Sequence, residues 1–587
     1  MSLFKKKMEP VKSDFGDFEP PKAPKTVKSP VKRTLINSLV TLVFAAVYFY
    51  VDLPPISLKS ERFYAFVLLC CLIYGVCAAA TAGFKAPSMK EYFGFVKKQC
   101  RIPFLVAVVA VATCAVGTLS SAEILRASSY RDLLPVESGD FATEIKEISY
   151  DQIPMLDASS AEKLGDRKLG ELADMVSQFE VAEDYTQINY NGRPVRVTPL
   201  VYGDWIKWFN NRTEGLPAYL VIDMVNQSVA VERPESGIKY SKGDHFGRNI
   251  YRHLRFNYPT FMFEEPIFEI DEEGTPYWVC ARHDKTIGLF GGKDIIGAVL
   301  VNALTGECEY LAAEEIPTWV DHLYSASLII RQYDYYGKYI NGFINSVLGQ
   351  EGVTVTTEGY NYIAIDDDVY MYTGITSVGG DESNVGFILT NQRTKETKYY
   401  PCAGAEEFSA MASAQGQVQQ MNYKATFPLL LNIADQPTYF MALKDAAGLV
   451  KMYAMVNVSQ YQIVATGNTV AECERNYRGR LANNGMISEE QTEIENVERG
   501  SISGRIEEIR SAVIDGNTHY FISLDNANGY YRISAAVCEL AVTMSVGDYV
   551  TIHYNAGEGS ILEAVNVEYA SYVMESEVSV ESTEPAA

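Results

Sequence analysis

The residue types that carry most enzyme chemistry are sparse in this sequence, and their spacing favours no reaction. None of the histidines forms the i, i+4 pair that a zinc site on a helix requires. They are His245, His253, His283, His322, His519 and His553. No G-x-S-x-G segment, which would present a nucleophilic serine, occurs in the chain. We therefore predict that the protein is not an enzyme and has no catalytic residue, no metal site and no cofactor.

Two short segments superficially resemble ligand-binding loops. Residues 288–294, GLFGGKD, contain glycines and a lysine but lack the spacing and the Ser/Thr of a phosphate loop. They also fall between two expected strands, so we interpret them as a hairpin loop. Residues 366–368, three consecutive aspartates, offer the oxygen ligands that calcium prefers, but the D-x-D-x-D-G spacing is missing. We interpret them as a solvated turn.

One group of basic residues is a candidate binding surface. Arg248, Arg252 and Arg255 fall on one stripe of an expected helix. In a strongly acidic region such a stripe could bind an anionic partner. The alternative is that it pairs with neighbouring acids such as Glu264 and Glu265.

The ten cysteines divide evenly between the apolar N-terminal region and the rest of the chain. The second group is Cys280, Cys308, Cys402, Cys473 and Cys538. An odd number without short spacings indicates neither a disulfide framework nor a metal site. We expect most of them to be buried, and a disulfide between Cys280 and Cys308 stays open.

The elements that must position these residues are organised around one repeated segment. Residues 299–310, VLVNALTGECEY, predict a strand, a short turn with Gly306 free to adopt positive φ, and a returning strand. The pattern occurs four times, in register on Asp223, Asn302, Asn391 and Asn457. A second turn precedes each copy, at residues 191–194, 273–276, 358–361 and 434–437.

Each copy is predicted to be a helix with a four-stranded antiparallel meander, because so small a sheet needs a helix to cover its apolar face. Hydrophobic spacing and caps predict the helices. They fall within residues 159–179, 248–255, 318–348 (broken near 337 or 342), 405–420 and 469–481. The third copy is predicted to have strands at 353–357, 360–366, 385–391 and 397–402.

The pattern of an acidic residue, Gly, any residue and Pro before an aromatic strand, then V-[DN]-x-x-T-G-E, resembles the PepSY-type module of bacterial extracytoplasmic proteins. The second copy carries it best, in residues 273–278 (EGTPYW) and 301–307 (VNALTGE). The third copy has Lys395 in place of the Gly, and the first and fourth lack the Thr-Gly pair. The resemblance covers about residues 159–467. It implies a non-catalytic module that binds partners or restrains proteases outside the membrane, and it transfers no catalytic residue.

Three apolar runs predict membrane spans, at about residues 35–51, 63–83 and 102–121. Residues 1–121 carry 16 basic and 7 acidic residues, whereas the remainder carries 34 and 67. Basic residues cluster before the first span and between the second and third, so the positive-inside rule places the N-terminus in the cytoplasm and the large C-terminal part outside. An acidic part of that size argues against nucleic acid as a partner.

Near the C-terminus, residues 500–570 predict five strands of a small barrel that resembles an OB-type fold. With three Arg, no Lys and nine Asp/Glu, this segment has the wrong charge for nucleic acid. The predicted fold class is therefore α+β: N-terminal transmembrane helices, four repeated helix-and-meander units and a C-terminal OB-like barrel.

The predicted organisation divides the chain into nine segments. They are a disordered basic tail (1–33), three transmembrane helices (34–121), a connector (122–158), four PepSY-like repeats (159–240, 241–312, 313–403 and 404–482), the barrel (500–570) and a disordered acidic tail (571–587).

The predicted function is that of a bacterial plasma-membrane protein whose extracytoplasmic part binds, restrains or organises another envelope protein. Its expected partners are membrane lipid and an envelope protein, and its oligomeric state stays open. Two alternatives remain: a structural protein that binds a cell-wall or surface polymer, and an envelope enzyme whose site is assembled from loops of several units.

Overall fold

The computed structural model describes residues 30–82, 89–147, 153–379, 383–488, 491, 499–514, 517–527, 529–535, 538–555 and 561–569. These residues fall into two compact units, residues 1–480 and 481–587. The first unit holds the N-terminal helices and four separate sheets, and the second holds a barrel.

Three N-terminal helices are long and apolar enough to cross a membrane, which confirms the expected spans by length and composition. With the short helix between the second and third spans, they are α1 (Pro30–Asp52), α2 (Glu61–Ala82), α3 (Met89–Gln99) and α4 (Arg101–Ser120). The end of α1, the start of α2 and the end of α4 all lie against the sheets. At their opposite ends, α3 lies against α2, where the Tyr92 hydroxyl donates to the Ala79 carbonyl at 3.2 Å.

The segment after α4 does more than connect. It forms α5 (Glu123–Arg131), β1 (Glu137–Ser138) and α6 (Phe141–Glu144). Strand β1 adds to the third sheet, parallel to its last strand. Hydrophobic periodicity could not have identified β1 as a strand, because an edge strand of two residues is too short to show a period.

Four sheets follow, and each has the same strand order. Two short strands both pair with one long strand, the long strand pairs with a fourth strand, and the fourth pairs with a fifth. In the first two sheets the strands are β2 (Phe179–Val181), β3 (Thr186–Tyr190), β4 (Arg193–Tyr202), β5 (Tyr219–Asp223) and β6 (Val229–Glu232), then β7 (Met262–Phe263), β8 (Ile267–Ile270), β9 (Pro276–Ile287), β10 (Gly291–Asn302) and β11 (Cys308–Ala312).

The third and fourth sheets repeat this arrangement. Their strands are β12 (Thr354–Thr356), β13 (Asn361–Ile365), β14 (Asp368–Ser377), β15 (Ser383–Asn391) and β16 (Thr397–Ala405), then β17 (Lys424–Ala425), β18 (Leu429–Ile433), β19 (Gln436–Lys444), β20 (Val450–Asn457) and β21 (Val464–Gly467).

The predicted strands of the third copy were wrong in one respect. The long central strand β14 was missed, because its preceding turn was assigned to residues 358–361. The turn lies instead at Asp366-Asp367, within the segment that was interpreted as a solvated turn but not as the turn of the repeat, and Asp366 has a φ of 54°. Gly359, with a φ of 98°, bends the chain between β12 and β13.

A helix precedes each sheet, and one more follows the fourth. They are α7 (Ala158–Gly170), α8 (Trp205–Asn211, an insertion in the first sheet), α9 (Ile250–Asn257), α10 (Ala326–Lys338), α11 (Gly342–Ile344), α12 (Glu407–Gln417) and α13 (Val470–Asn483). The helix predicted within 318–348 begins only at Ala326, and the predicted break near 337 or 342 lies between Lys338 and Gly342. Helix α10 buries Leu328, Ile329 and Tyr333 in a core shared by the second and third sheets. Helices therefore cover more than their own sheet.

The second unit is a closed five-stranded barrel. Its strands are β22 (Arg499–Ile514), β23 (Asn517–Leu524), β24 (Tyr530–Ser534), β25 (Tyr549–Asn555) and β26 (Ile561–Tyr569). The order around the barrel is β22-β23-β24-β26-β25, and β25 pairs back onto β22. The fully buried Ile522, Leu524 and Ile552 lie in its core. All five predicted strands are present.

Candidate functional site

The four aligned residues Asp223, Asn302, Asn391 and Asn457 share one structural role. The Oδ1 atom of Asn302 accepts hydrogen bonds from the Leu304 and Thr305 backbone amides at 2.9 and 3.0 Å, which is an Asx-turn. Asp223 and Asn391 make the same pair of bonds, and Asn457 makes one of them. The repeated residue therefore closes the turn between two strands, and these four side chains serve that turn and not a reaction.

Arg255, at the end of the predicted basic stripe, is buried and bound within the chain. Its guanidinium donates to the carbonyl oxygens of Leu53 at 3.0 Å and Phe261 at 2.6 Å, and to those of Tyr258 and Pro259. Burial, and secondarily Arg62, lowers its pKa to about 10, so the side chain stays cationic at neutral pH. Leu53 directly follows α1, so this charge lies at the negative end of that helix dipole.

Arg252 binds the same end of α1. Its Nε donates to the Tyr50 carbonyl at 3.3 Å, and its guanidinium lies 4.8 Å from the centre of the Tyr50 ring. The ring of Phe256 packs edge-on against Phe49, with centroids 5.7 Å apart. Helix α9 therefore forms a contact between the second sheet and the first membrane helix, which we call the α9–α1 contact.

Arg248 belongs to a different part of the structure. The predicted single helix begins only at Ile250, and Arg248 lies in a 3-10 turn before it, where it donates to the Arg212 carbonyl. The proposed alternative partners of the stripe are engaged elsewhere. Glu264 binds Lys293 and His283, and Glu265 binds Lys242. Binding of an anionic partner by these arginines stays a prediction.

The glycine-rich segment 288–294 lies at the tip of the β9–β10 hairpin, as predicted, and the tip packs between α2 and α4. The Phe290 ring meets the Tyr64 ring at 5.8 Å, and the Phe290 amide donates to Ser121 Oγ at 2.9 Å. A Cβ added at Gly117 would overlap the Phe290 ring. This glycine therefore permits the Phe290 ring to approach α4 closely. We call the insertion of Phe290 between α2 and α4 the hairpin wedge.

Salt bridges lie on the strands of this hairpin close to its tip. Lys59, in the loop between α1 and α2, binds Asp284 at 2.8 Å and the Lys285 carbonyl at 2.7 Å. Burial opposes ionisation of Glu264, but hydrogen bonds from His283 and Lys293 prevail and lower its pKa to about 2. The second sheet is thus held to the membrane helices by polar as well as apolar contacts.

A buried polar junction joins the first, second and third sheets. The Glu269 carboxylate accepts from the backbone amides of Asp321 and His322 at 2.8 and 3.0 Å, and Asp321 accepts from the Asn189 amide at 2.6 Å. His322 Nε2 lies 2.6 Å from the Gln187 carbonyl. Burial raises the pKa of Glu269 to about 7 and that of Asp321 well above its ordinary value, and it lowers that of His322 to about 4.

The sequence analysis did not identify this junction. The available signal was a single glutamate between Phe268 and Ile270 in an apolar strand, since a buried carboxylate must find donors. Those donors come from a loop about fifty residues away. Their proximity follows only from tertiary packing.

An open groove lies beside the first sheet. Its volume is about 790 Å³, and its walls come from β5, β6 and the turn between β8 and β9. The Tyr219 hydroxyl donates to the Gly274 carbonyl at 2.6 Å and joins the two sheets at the groove. Alternate residues of β5 and β6 line the groove, so it lies over one face of the sheet, and β6 is the last strand of that sheet among the residues that the structure describes. We call this feature the first-sheet groove.

Neither cysteines nor acidic clusters form a further site in the part of the chain that the structure describes. All ten cysteines are unpaired. Cys280 and Cys308 lie on β9 and β11, on either side of β10. Two strand spacings, about 10 Å, exceed the roughly 7 Å limit between Cα atoms in a disulfide. Within the described residues, no group of three or more His, Cys, Asp or Glu is arranged to hold a metal ion.

Comparison with known proteins adds no relative. No protein-family model matches the sequence, and no curated protein matches it.

Proposed function

We propose that this protein is a membrane-anchored scaffold that binds an extended segment of another envelope protein in the first-sheet groove. The observation that carries the proposal is the groove of about 790 Å³ over one face of the first sheet, next to β6, which ends the strand order of that sheet among the described residues. An exposed sheet edge can accept a further strand through main-chain hydrogen bonds, and the neighbouring groove can hold alternate side chains.

The lining of the groove suggests the chemistry of that segment. Tyr219, Val221, Ala230 and Ile270 supply apolar surface. Four acidic residues line the groove, namely Asp223, Glu232, Glu235 and Glu273, against two basic ones, Arg193 and Arg233. Arg233 is engaged by Asp174 at 3.0 Å. A strand that alternates apolar and basic side chains is therefore the complementary partner.

The location of the sheets outside the cytoplasm is part of this proposal. Lysines precede α1 in the sequence, and Lys97 and Lys98 end α3, which lies at the end of the membrane helices away from the sheets. The positive-inside rule places that end in the cytoplasm. The groove is then available to envelope proteins and not to cytoplasmic ones.

We also propose PepSY-like modules and an OB-like barrel as the finer description. The fourfold strand order and the shared Asx-turns support the first, and the closed five-stranded order of β22–β26 supports the second. Both resemblances favour binding over catalysis.

Site-directed photo-crosslinking in intact cells tests the function. A photoreactive residue replaces Ala230 at the groove, and the matched control replaces the exposed Gln417 on α12. We expect a discrete protein adduct at 230 alone, and we expect Glu232→Lys combined with Glu273→Lys to weaken it. No adduct at 230, equal adducts at both positions, or an adduct consisting of glycan would each contradict the proposed partner class.

A further inference from the structure

A cluster of large apolar side chains is exposed on the first sheet's insertion. On α8, Trp205, Ile206 and Phe209 are 57%, 66% and 46% exposed, and the nearby Phe246 is 61% exposed. We call these four residues the α8 patch. Single exposed apolar residues need no explanation, but a contiguous aromatic group marks a contact with a partner or a membrane.

The patch is held in place by the residues beneath it. Trp208 is buried, and its indole N–H donates to Asp244 at 3.0 Å, while Ser241 donates to the other oxygen of Asp244 at 2.8 Å. Phe246 has a φ of 53°, a left-handed conformation that is strained for an aromatic residue. The backbone is therefore strained at Phe246, whose ring is exposed. Backbone strain of this kind is typical of functional positions.

The patch is continuous with the α9–α1 contact. Arg248 donates to the Arg212 carbonyl at the end of α8, and Arg252, one turn further along, donates to the Tyr50 carbonyl in the last turn of α1. Phe256, on the same helix as Arg252, is 56% exposed beside Phe49. The α8 patch therefore lies close to the level at which α1 leaves the membrane.

The basic residues at the patch match the chemistry of a lipid surface. The Arg212 guanidinium lies 3.9 Å from the centre of the Phe209 ring, and Arg248 is next to it. Aromatic rings favour the membrane–water interface, and an arginine guanidinium at that level can donate hydrogen bonds to lipid phosphates. Insertion of a short amphipathic helix at this depth requires no additional spanning segment.

We propose that the α8 patch lies in the interfacial region of the same membrane that α1, α2 and α4 cross, so that the first sheet binds lipid directly. This inference does not depend on the first-sheet groove. The occupant is lipid, and a protein partner at this surface is an outcome that the test can reveal.

The first test uses the full chain reconstituted into vesicles that contain an anionic lipid, with lipids brominated near the headgroup as quenchers of tryptophan fluorescence. Of the four tryptophans only Trp205 is an exposed member of the patch. We expect the Trp205→Phe variant to lose about half of the quenching, because interfacial tryptophan lies within reach of the bromines. The control Trp319→Phe, in a different groove, should retain it.

A second pair of variants separates lipid binding from folding. Phe246→Ser combined with Ile206→Ser should reduce the quenching of Trp205 about twofold, while thermal unfolding in detergent stays unchanged because both side chains are exposed. Leu449→Ser, at a similarly exposed position on the fourth sheet, should change neither. If Trp205→Phe leaves the quenching unaltered, lipid is not the occupant, the proposal fails, and a protein partner becomes the favoured explanation.

Discussion

At the residue scale, single polar side chains perform structural tasks that their neighbours along the chain do not reveal. The four Asx residues close the same hairpin in four sheets, and the residue four positions later has positive φ in three of them, at Gln227, Gly306 and Lys395. Only Gly306 adopts this conformation without strain. Lys395 also binds Asp294 at 2.7 Å, so its side chain contributes a contact that glycine would lack.

The Asx-turns predict a graded effect at Asn302. Asn302→Ala removes an acceptor of two backbone amides and should lower the free energy of unfolding by about 1 kcal/mol. Asn302→Asp keeps the acceptor, as Asp223 does in the first sheet, and should cost less. Thermal unfolding of the detergent-solubilised chain measures both, and equal losses for the two variants would contradict the Asx role.

The buried junction predicts a pH dependence. Because burial raises the pKa of Glu269 to about 7 from 4.5, its contribution to stability is fully present below the unfolded value and is lost as the pH rises through 7. Asp321, whose pKa is raised by burial and then by Glu269, acts in the same direction, whereas His322 contributes above its unfolded value of 6.5 and loses that contribution as the pH falls through 4.

The Glu269→Gln substitution removes the titration of Glu269 and leaves those of Asp321 and His322. The unfolding temperature should therefore vary less steeply between about pH 5 and pH 8 than in the unmodified protein. Glu273→Gln, at an exposed position in the following turn, is the control and should give a curve parallel to the unmodified one. A parallel curve for Glu269→Gln would show that its titration is not linked to folding.

At the scale of elements, one helix and one hairpin attach the sheets to the membrane helices. Helix α9 binds the end of α1 through Arg252 and Arg255, and the β9–β10 hairpin inserts Phe290 between α2 and α4. Both elements belong to the second repeated unit. The second unit therefore makes these contacts with the membrane helices, and the other three units take no part in them, although all four have the same strand order.

The α9–α1 contact predicts unequal roles for the arginines of the stripe. Arg255→Ala leaves buried carbonyl oxygens without their cationic donor and should lower the free energy of unfolding by about 2–3 kcal/mol. Arg248→Ala, which removes one donor to the Arg212 carbonyl, should cost less than about 1 kcal/mol. Unfolding midpoints in detergent compare the two, and the reverse order would contradict the contact.

The hairpin wedge predicts a second loss of stability. Phe290→Ala removes a ring packed against Tyr64 and Gly117 and should cost about 3 kcal/mol through the cavity it leaves. Phe104→Ala is the matched control, since that ring is 69% exposed on α4 where lipid would surround it. Similar unfolding midpoints for the two variants would argue against the wedge.

At the scale of the whole molecule, the first unit alternates helices and sheets in series, and its second sheet with α9 meets one end of the membrane helices. The first and second sheets share one core, which includes Ile188, Val197, Trp278 and Val301. Small sheets of this kind are not stable alone, so sharing cores makes each depend on its neighbour.

The proposed orientation predicts the outcome of reporter fusions. Alkaline phosphatase, which needs an oxidising compartment for its disulfides, should be active when fused after Gly485 and inactive when fused after Lys98. Fluorescent protein fusions at the same positions should give the opposite pattern. Activity at both positions, or at Lys98 alone, would overturn the orientation.

Much of this architecture could be predicted from local sequence. The three spans follow from apolar length, the hairpins of the first, second and fourth sheets from alternating residues and turn chemistry, and all five barrel strands from the same signals. Strand β14 was missed because the turn of the repeat was aligned on Gly359 and not on Asp366-Asp367. Short edge strands such as β1 and β7 have too few residues for a period.

The sequence by itself determined the spans, most of the helices and the longer strands other than β14, because each of those choices depends on residues close together in the chain. Only the tertiary structure decided that Arg255 holds the end of α1, that Phe290 inserts between two membrane helices, and that Glu269 finds its donors in a distant loop. Periodicity states which face of an element is apolar, but which two faces meet depends on the packing of the whole chain.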